Sequence, residues 1–165
     1  MTESYLDMLS RSLDRKLEIL KQIEQENRKQ TDLLDFPVQG AEFSGKWEEA
    51  FDQTVEAKGR MIEELTRLND GFDLLFSKVQ IELTLQKEKY RTQLARLQDQ
   101  IREVTEMSNR IQVQEQRNKA LVDQYFSEER TKIKVGKRST ATAMKYYQTM
   151  NRTQFVASQA VDENR

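Results

Sequence analysis

Residues 90–125 read YRTQLARLQDQIREVTEMSNRIQVQEQRNKALVDQY, and this stretch decides the fold. Tyr90, Leu97, Val104, Ile111, Asn118 and Tyr125 stand seven apart, and Leu94, Ile101, Ser108, Glu115 and Val122 form a companion series at the same interval. Two lines of this kind are the seam of a coiled-coil-like helix, because a heptad step returns a side chain to nearly the same face. No Gly or Pro interrupts it. The seam is diluted towards its end, where Ser108, Glu115 and Asn118 replace apolar residues. Polar residues on a seam weaken packing but can fix register.

Similar stripes extend outward from this stretch. Near the N-terminus, Leu6, Leu9, Leu13, Leu17, Leu20 and Ile23 recur at steps of three and four, the spacing of one helical face. Asn27 and Gln30 fall on that stripe before Leu34 restores it, which predicts a helix from about Ser4 to Asp35. Pro37 disfavours the α region for Phe36 and ends the helix. Residues 36–45 hold Pro37, Gly40 and Gly45 and read as the one clear loop. A second helix is expected from about Ser44, a suitable N-cap. Its stripe runs through Trp47, Phe51, Val55, Met61, Ile62, Leu65, Leu68, Phe72, Leu75, Phe76, Val79 and Leu83.

The second and third helices need a reversal between them. One unbroken helix from Trp47 to Val135 would be about 130 Å long. Asn69-Asp70-Gly71 carries the best turn chemistry. A turn near 84–89 lacks such residues but leaves arms of similar length that bury more stripe, and is the preferred position. The third helix is expected to stop near Val135, with Lys132 and Lys134 in its last turn and Gly136 in the left-handed position beyond it.

Composition agrees with helices. One Pro and five Gly in 165 residues leave little material for turns, and Gln, Glu, Lys, Arg and Leu lose little rotamer freedom in a helix. Only 36% of the chain is hydrophobic, which favours a slender bundle over a compact globule. The expected fold is all-α, a slender antiparallel bundle of three long helices (coiled-coil-like) plus a short C-terminal helix. Residues 1–135 form the helical bundle domain, 136–150 a short amphipathic helix, and 151–165 a disordered tail.

The same composition narrows the chemistry. The chain has no Cys and no His, so thiol nucleophiles, disulfides, imidazole bases and the usual transition-metal ligands are missing. A net charge of -1 from 27 bases and 28 acids predicts neither a nucleic-acid binder nor a membrane-surface protein. No apolar run suits a membrane span, and the polar start MTESYLDMLSR has no signal-peptide h-region. A cytoplasmic location is expected. No metal box, phosphate-cradling Gly loop or nucleophile elbow occurs. The carboxylate pairs Glu48-Glu49, Glu63-Glu64 and Glu128-Glu129 read as solvated helix faces. No enzyme activity, cofactor or metal site is expected.

Two features remain for binding. Trp47 reads first as a core anchor at a helix start, and second as a partner contact. The C-terminal stretch is more distinctive. Ala143, Met144, Tyr147 and Met150 line one face with Tyr146 beside it. No acid occurs from Arg130 to Val161, while Arg130, Lys132, Lys134, Lys137, Arg138, Lys145 and Arg152 are basic. A frayed basic end is one reading. The other is a docking helix, in which Met adapts to varied surfaces and Tyr contributes area at low entropy cost.

Four segments together resemble the flagellar export chaperones of the FlgN/FliT type. They are SLDRKLEILKQIEQENRKQTDLL (12–34), EAKGRMIEELTRLNDGFD (56–73), IQVQEQRNKALVDQYF (111–126) and KRSTATAMKYYQTMN (137–151). The stretch around Phe72–Lys89 is longer than in shorter forms of the family. The resemblance implies a cytoplasmic helical chaperone of type III flagellar export. Such a protein binds a hook-associated protein (junction or cap), prevents its premature assembly and assists its delivery to export apparatus components. It implies a client region at Met144, Tyr146, Tyr147 and Met150, joined by Val122, Tyr125 and Phe126. A monomer or weak homodimer is expected, with no nucleic acid and no stable membrane insertion. The alternative is a non-enzymatic coiled-coil scaffold or adaptor whose 90–125 seam drives homo-oligomerisation.

Overall fold

The computed structural model describes residues 1–35 and 41–128, with side chains for 1–35 and 45–124. Three long helices account for nearly all of them: α1 (Thr2–Asp35), α2 (Ala41–Leu85) and α3 (Arg91–Glu128). The fold is an all-α bundle. The short C-terminal helix and the 151–165 tail expected from the sequence lie outside the described residues, as do the expected stop near Val135 and Gly136.

Helix α1 is the central element. It runs antiparallel to α2, since Thr2 meets Glu82 at one end and the Trp47 indole meets Leu33 at the other. It runs parallel to α3, since Ser10 pairs with Gln100 and Thr31 with Asn118. Backbones approach closely on both flanks of α1. Among the described residues no Cα of α2 comes within 8 Å of a Cα of α3. The two arms of the hairpin meet through side chains, as Lys58 of α2 meets Glu115 of α3 at 2.8 Å.

The apolar stripes are buried as their spacing predicts. Leu6, Leu9, Leu13, Leu20 and Ile23 of α1 pack with Ile62, Leu65, Phe72, Val79 and Leu83 of α2. Tyr90 at the turn joins them, with Leu97, Ile101, Val104, Met107 and Ile111 of α3. Every side chain of the α3 seam that the structure describes is buried or partly buried, including the polar Ser108, Glu115 and Asn118. Burial on two flanks also recruits Ile19, which the single stripe of α1 does not contain.

One boundary differs from expectation. Helix α2 begins at Ala41, so Ser44 and Gly45 lie within the helix rather than in the loop or at its cap. Ala and Glu at 41 and 42 are strong helix formers and extend it by about one turn. The reversal lies at residues 86–90, at the later position that the pairing of the arms favoured. It forms without Gly or Pro. Gln86 N–H donates to Glu82 O (2.9 Å), Lys89 N–H to Gln86 O (3.1 Å) and Leu94 N–H to Tyr90 O (2.9 Å), so much of the backbone stays bonded through the corner. Asn69-Asp70-Gly71 stays helical because Leu65, Leu68, Phe72 and Leu75 bury on either side of it. That packing outweighs a propensity cost of about 1 kcal/mol for the Gly.

Candidate functional site

Polar residues divide the bundle interior. The large cluster stretches from Leu6 to Ile111, and a small one gathers Leu34, Trp47, Phe51 and Val55, with Leu33, Leu121 and Val122 partly buried against it. Between them lies a layer contributed by all three helices: Asn27 and Gln30 from α1, Thr54 and Lys58 from α2, Glu115 and Asn118 from α3. The layer exists because the α1 and α3 stripes place polar residues at the same height.

Lys58 is its centre and is 2% exposed. Its ammonium donates to Asn27 Oδ1 (2.8 Å), Gln30 Oε1 (2.7 Å) and the Glu115 carboxylate (2.8 and 2.9 Å). Three protons thus meet three acceptor side chains. Burial pushes the Lys58 ammonium below the ordinary lysine value, and the Glu115 charge opposes that shift. The amides are engaged in turn. Gln30 Nε2 donates to Thr54 Oγ1 (2.9 Å), Asn118 Nδ2 to the Asn27 carbonyl (3.1 Å) and Asn27 Nδ2 to Gln114 Oε1 (3.2 Å). Gln114 continues to Glu24, which also takes Arg110 Nε at 2.8 Å at the surface.

Beyond the layer, Trp47 closes the far end. Its ring stacks on Phe51 at 5.3 Å, and its Nε1–H donates to the Leu33 carbonyl at 2.7 Å. That carbonyl belongs to the last turn of α1, where no intrahelical donor remains, so the indole acts as a cap. Trp47 is a core anchor, the first of its two sequence readings.

The residues expected to bind a client are only partly in view. Val122 packs, partly buried, against the Trp47 cluster. Tyr125 and Phe126 lie in α3 one turn further on, beyond the described side chains. Met144, Tyr146, Tyr147 and Met150 lie outside the described residues. Among those described, no group of three or more Asp and Glu is placed to hold a metal ion, and no helix is long and apolar enough to cross a membrane.

The opposite end carries a feature that sequence reasoning did not find. An open groove of about 640 Å³ lies between the last turns of α2 and the first turns of α3. Phe72, Phe76 and Leu83 line one wall, and Leu94, Leu97 and Ile101 the other. Phe72 stacks on Phe76 at 6.3 Å. Lys16 of α1 places its ammonium 4.5 Å from the Phe72 ring centre. Burial pushes Lys16 down to about 8, with Asp73 opposing. At the rim, the Thr2 and Tyr90 hydroxyls donate to the Glu82 carboxylate and hold it below the ordinary carboxylate value. These bonds tie the start of α1 to the hairpin. The individual groove residues were legible as core positions; Phe72, Leu83, Leu97 and Ile101 are buried, and only the partial exposure of Phe76 and Leu94 depends on how far apart α2 and α3 stand.

No protein-family model matches the chain, and no curated protein or solved structure matches it.

Proposed function

We propose that this chain is a cytoplasmic, non-enzymatic chaperone of flagellar type III export that holds the helical end of a hook-associated protein, junction or cap. The resemblance in four segments supplies the system and the client class. The structural observation that supports a binding role is the division of the interior by the Lys58 layer. The small Trp47 cluster is separated from the main core, so its end of the bundle can loosen while residues 6–23 and 62–111 stay packed. Val122 leads from that cluster towards Tyr125 and Phe126, the start of the expected client region. An amphipathic client helix laid beside this end would bury its apolar stripe there as an added strand of the bundle. The client's ordering entropy would offset part of that gain and keep the complex releasable.

The scaffold reading requires the 90–125 seam to be available to other copies. That seam packs against α1 within the chain, which favours the chaperone reading. The test is co-purification of full-length protein, and of protein truncated after Gly136, with recombinant junction and cap proteins from a flagellated bacterium. A complex with one of them formed by the full chain alone, with both forms equally helical, is the expected result. Failure of both forms to retain either client would remove the flagellar assignment. A stable oligomer that survives truncation would favour the scaffold.

A further inference from the structure

We infer that the outer face of the last turns of α2 is a contact between two copies of this chain, paired antiparallel through Leu74, Ile81 and Leu85. These side chains are 61%, 74% and 80% exposed. They stand seven and four residues apart, so they share one stripe, on the face turned away from the core and the groove. Lys78 lies on the same stripe. Leu74, Lys78, Ile81 and Leu85 thus follow the alternating steps of four and three of a coiled-coil seam. Met8, 46% exposed, widens the face on the side of α1. It shares a flank with Arg15, seven residues on, which reaches Glu64 of α2 at 2.8 Å. Exposed apolar side chains are ordinary singly, but a stripe of them at seam spacing marks a contact surface.

The stripe is complementary to itself, which points to a second copy as the occupant. In an antiparallel pair Leu74 falls opposite Leu85 of the other copy, and Ile81 opposite Lys78. The same register sets Asp70, one turn before Leu74, against Lys89, one turn beyond Leu85. Arg67 and Glu88, the other charges at these two ends, are likewise unlike. Lys78 leans over the Tyr5 ring of α1 (5.8 Å), on the flank that also carries Glu82, so it meets Glu82 of the other copy. Two-fold symmetry repeats each pairing. A parallel pair would instead set Lys78 against Lys78. Four apolar side chains per copy make a small interface, so the dimer is weak, forming in the upper micromolar range. It leaves the 90–125 seam inside each copy. The face lies at the hairpin end, remote from the expected client region, and stands independently of the export assignment.

The test is sedimentation of the full-length chain from micromolar to millimolar concentration. The expected result is a reversible monomer–dimer equilibrium that Ile81→Glu abolishes. Val113→Glu, which puts the same charge on the exposed face of α3, should leave it unchanged. Circular dichroism checks that both variants keep their helicity. Asp70→Lys should weaken association about tenfold, and adding Lys89→Asp should restore it. The absence of Cys lets the register be read directly. Under oxidation, Leu74→Cys mixed with Leu85→Cys should cross-link one to the other, and neither to itself. A chain monomeric throughout, a dimer that survives Ile81→Glu, or no rescue by the paired charge reversal would overturn the proposal. So would cross-linking of either variant to itself, or a dimer lost with Val113→Glu, which would move the contact to α3.

Discussion

Lys58 shows how one side chain organises a region. A buried ammonium is tolerated because Asn27, Gln30 and Glu115 take its three protons. A buried ion pair is weak evidence for net stability, but removing one partner strands the other. Lys58→Ala should therefore cost about 3–5 kcal/mol in urea denaturation, while Lys58→Met with Glu115→Leu should recover most of that loss. A double variant as unstable as the single one would mean that the amides, not the charge pair, carry the layer. Lys16 makes a pH-dependent prediction. Its folded value, about 8, lies below the unfolded value near 10.5. Between those values the unfolded chain binds a proton that the folded chain has released. Stability thus rises with pH across that window, and the cost of the buried charge is fully present below it. Lys58 shifts in the same direction, so the comparison is with Lys16→Met. That variant should be more stable than the parent near pH 7 by about 1–3 kcal/mol, with the advantage shrinking towards pH 10. A constant difference would place the Lys16 ammonium in solvent.

Among the elements, α2 most clearly shows packing overriding local preference. It keeps Gly59 and Gly71 in its interior, and a Cβ at either position would meet nothing within 4 Å. Gly59→Ala and Gly71→Ala should each raise stability by about 1 kcal/mol, read as a higher Tm. No gain at Gly71 would indicate that the helix is broken there, as the Asn-Asp-Gly signal suggested. The reversal lies instead at 86–90, where the residues are ordinary helix formers. Its position follows from pairing two long apolar stripes against α1, not from turn chemistry.

For the whole molecule, the polar layer makes stability uneven. Among the described residues the large cluster buries seventeen apolar side chains and the small one four. Native-state hydrogen exchange should find amides at 30–35 and 47–55 opening at lower free energy than those at 62–79 and 97–111. Uniform protection would show that the layer couples the two clusters rather than separating them.

The three stripes, and the interior placement of Asn27, Gln30, Glu115 and Asn118, could be read from spacing alone, because the helical period converts sequence position directly into a face. Lys58 and Lys16 also sit at stripe positions, between Val55 and Ile62 and between Leu13 and Leu20. Their burial was not legible, because a lysine inside a stripe is normally solvated, and only partners from other helices change that. The sequence by itself determined the helices and their buried faces, with Asn27, Gln30, Glu115 and Asn118 among them. The tertiary structure decided the burial of Lys16 and Lys58, the ammonium–carboxylate contact and the groove. Each of these depends on distances between helices, and those are set by how α1 wedges between α2 and α3.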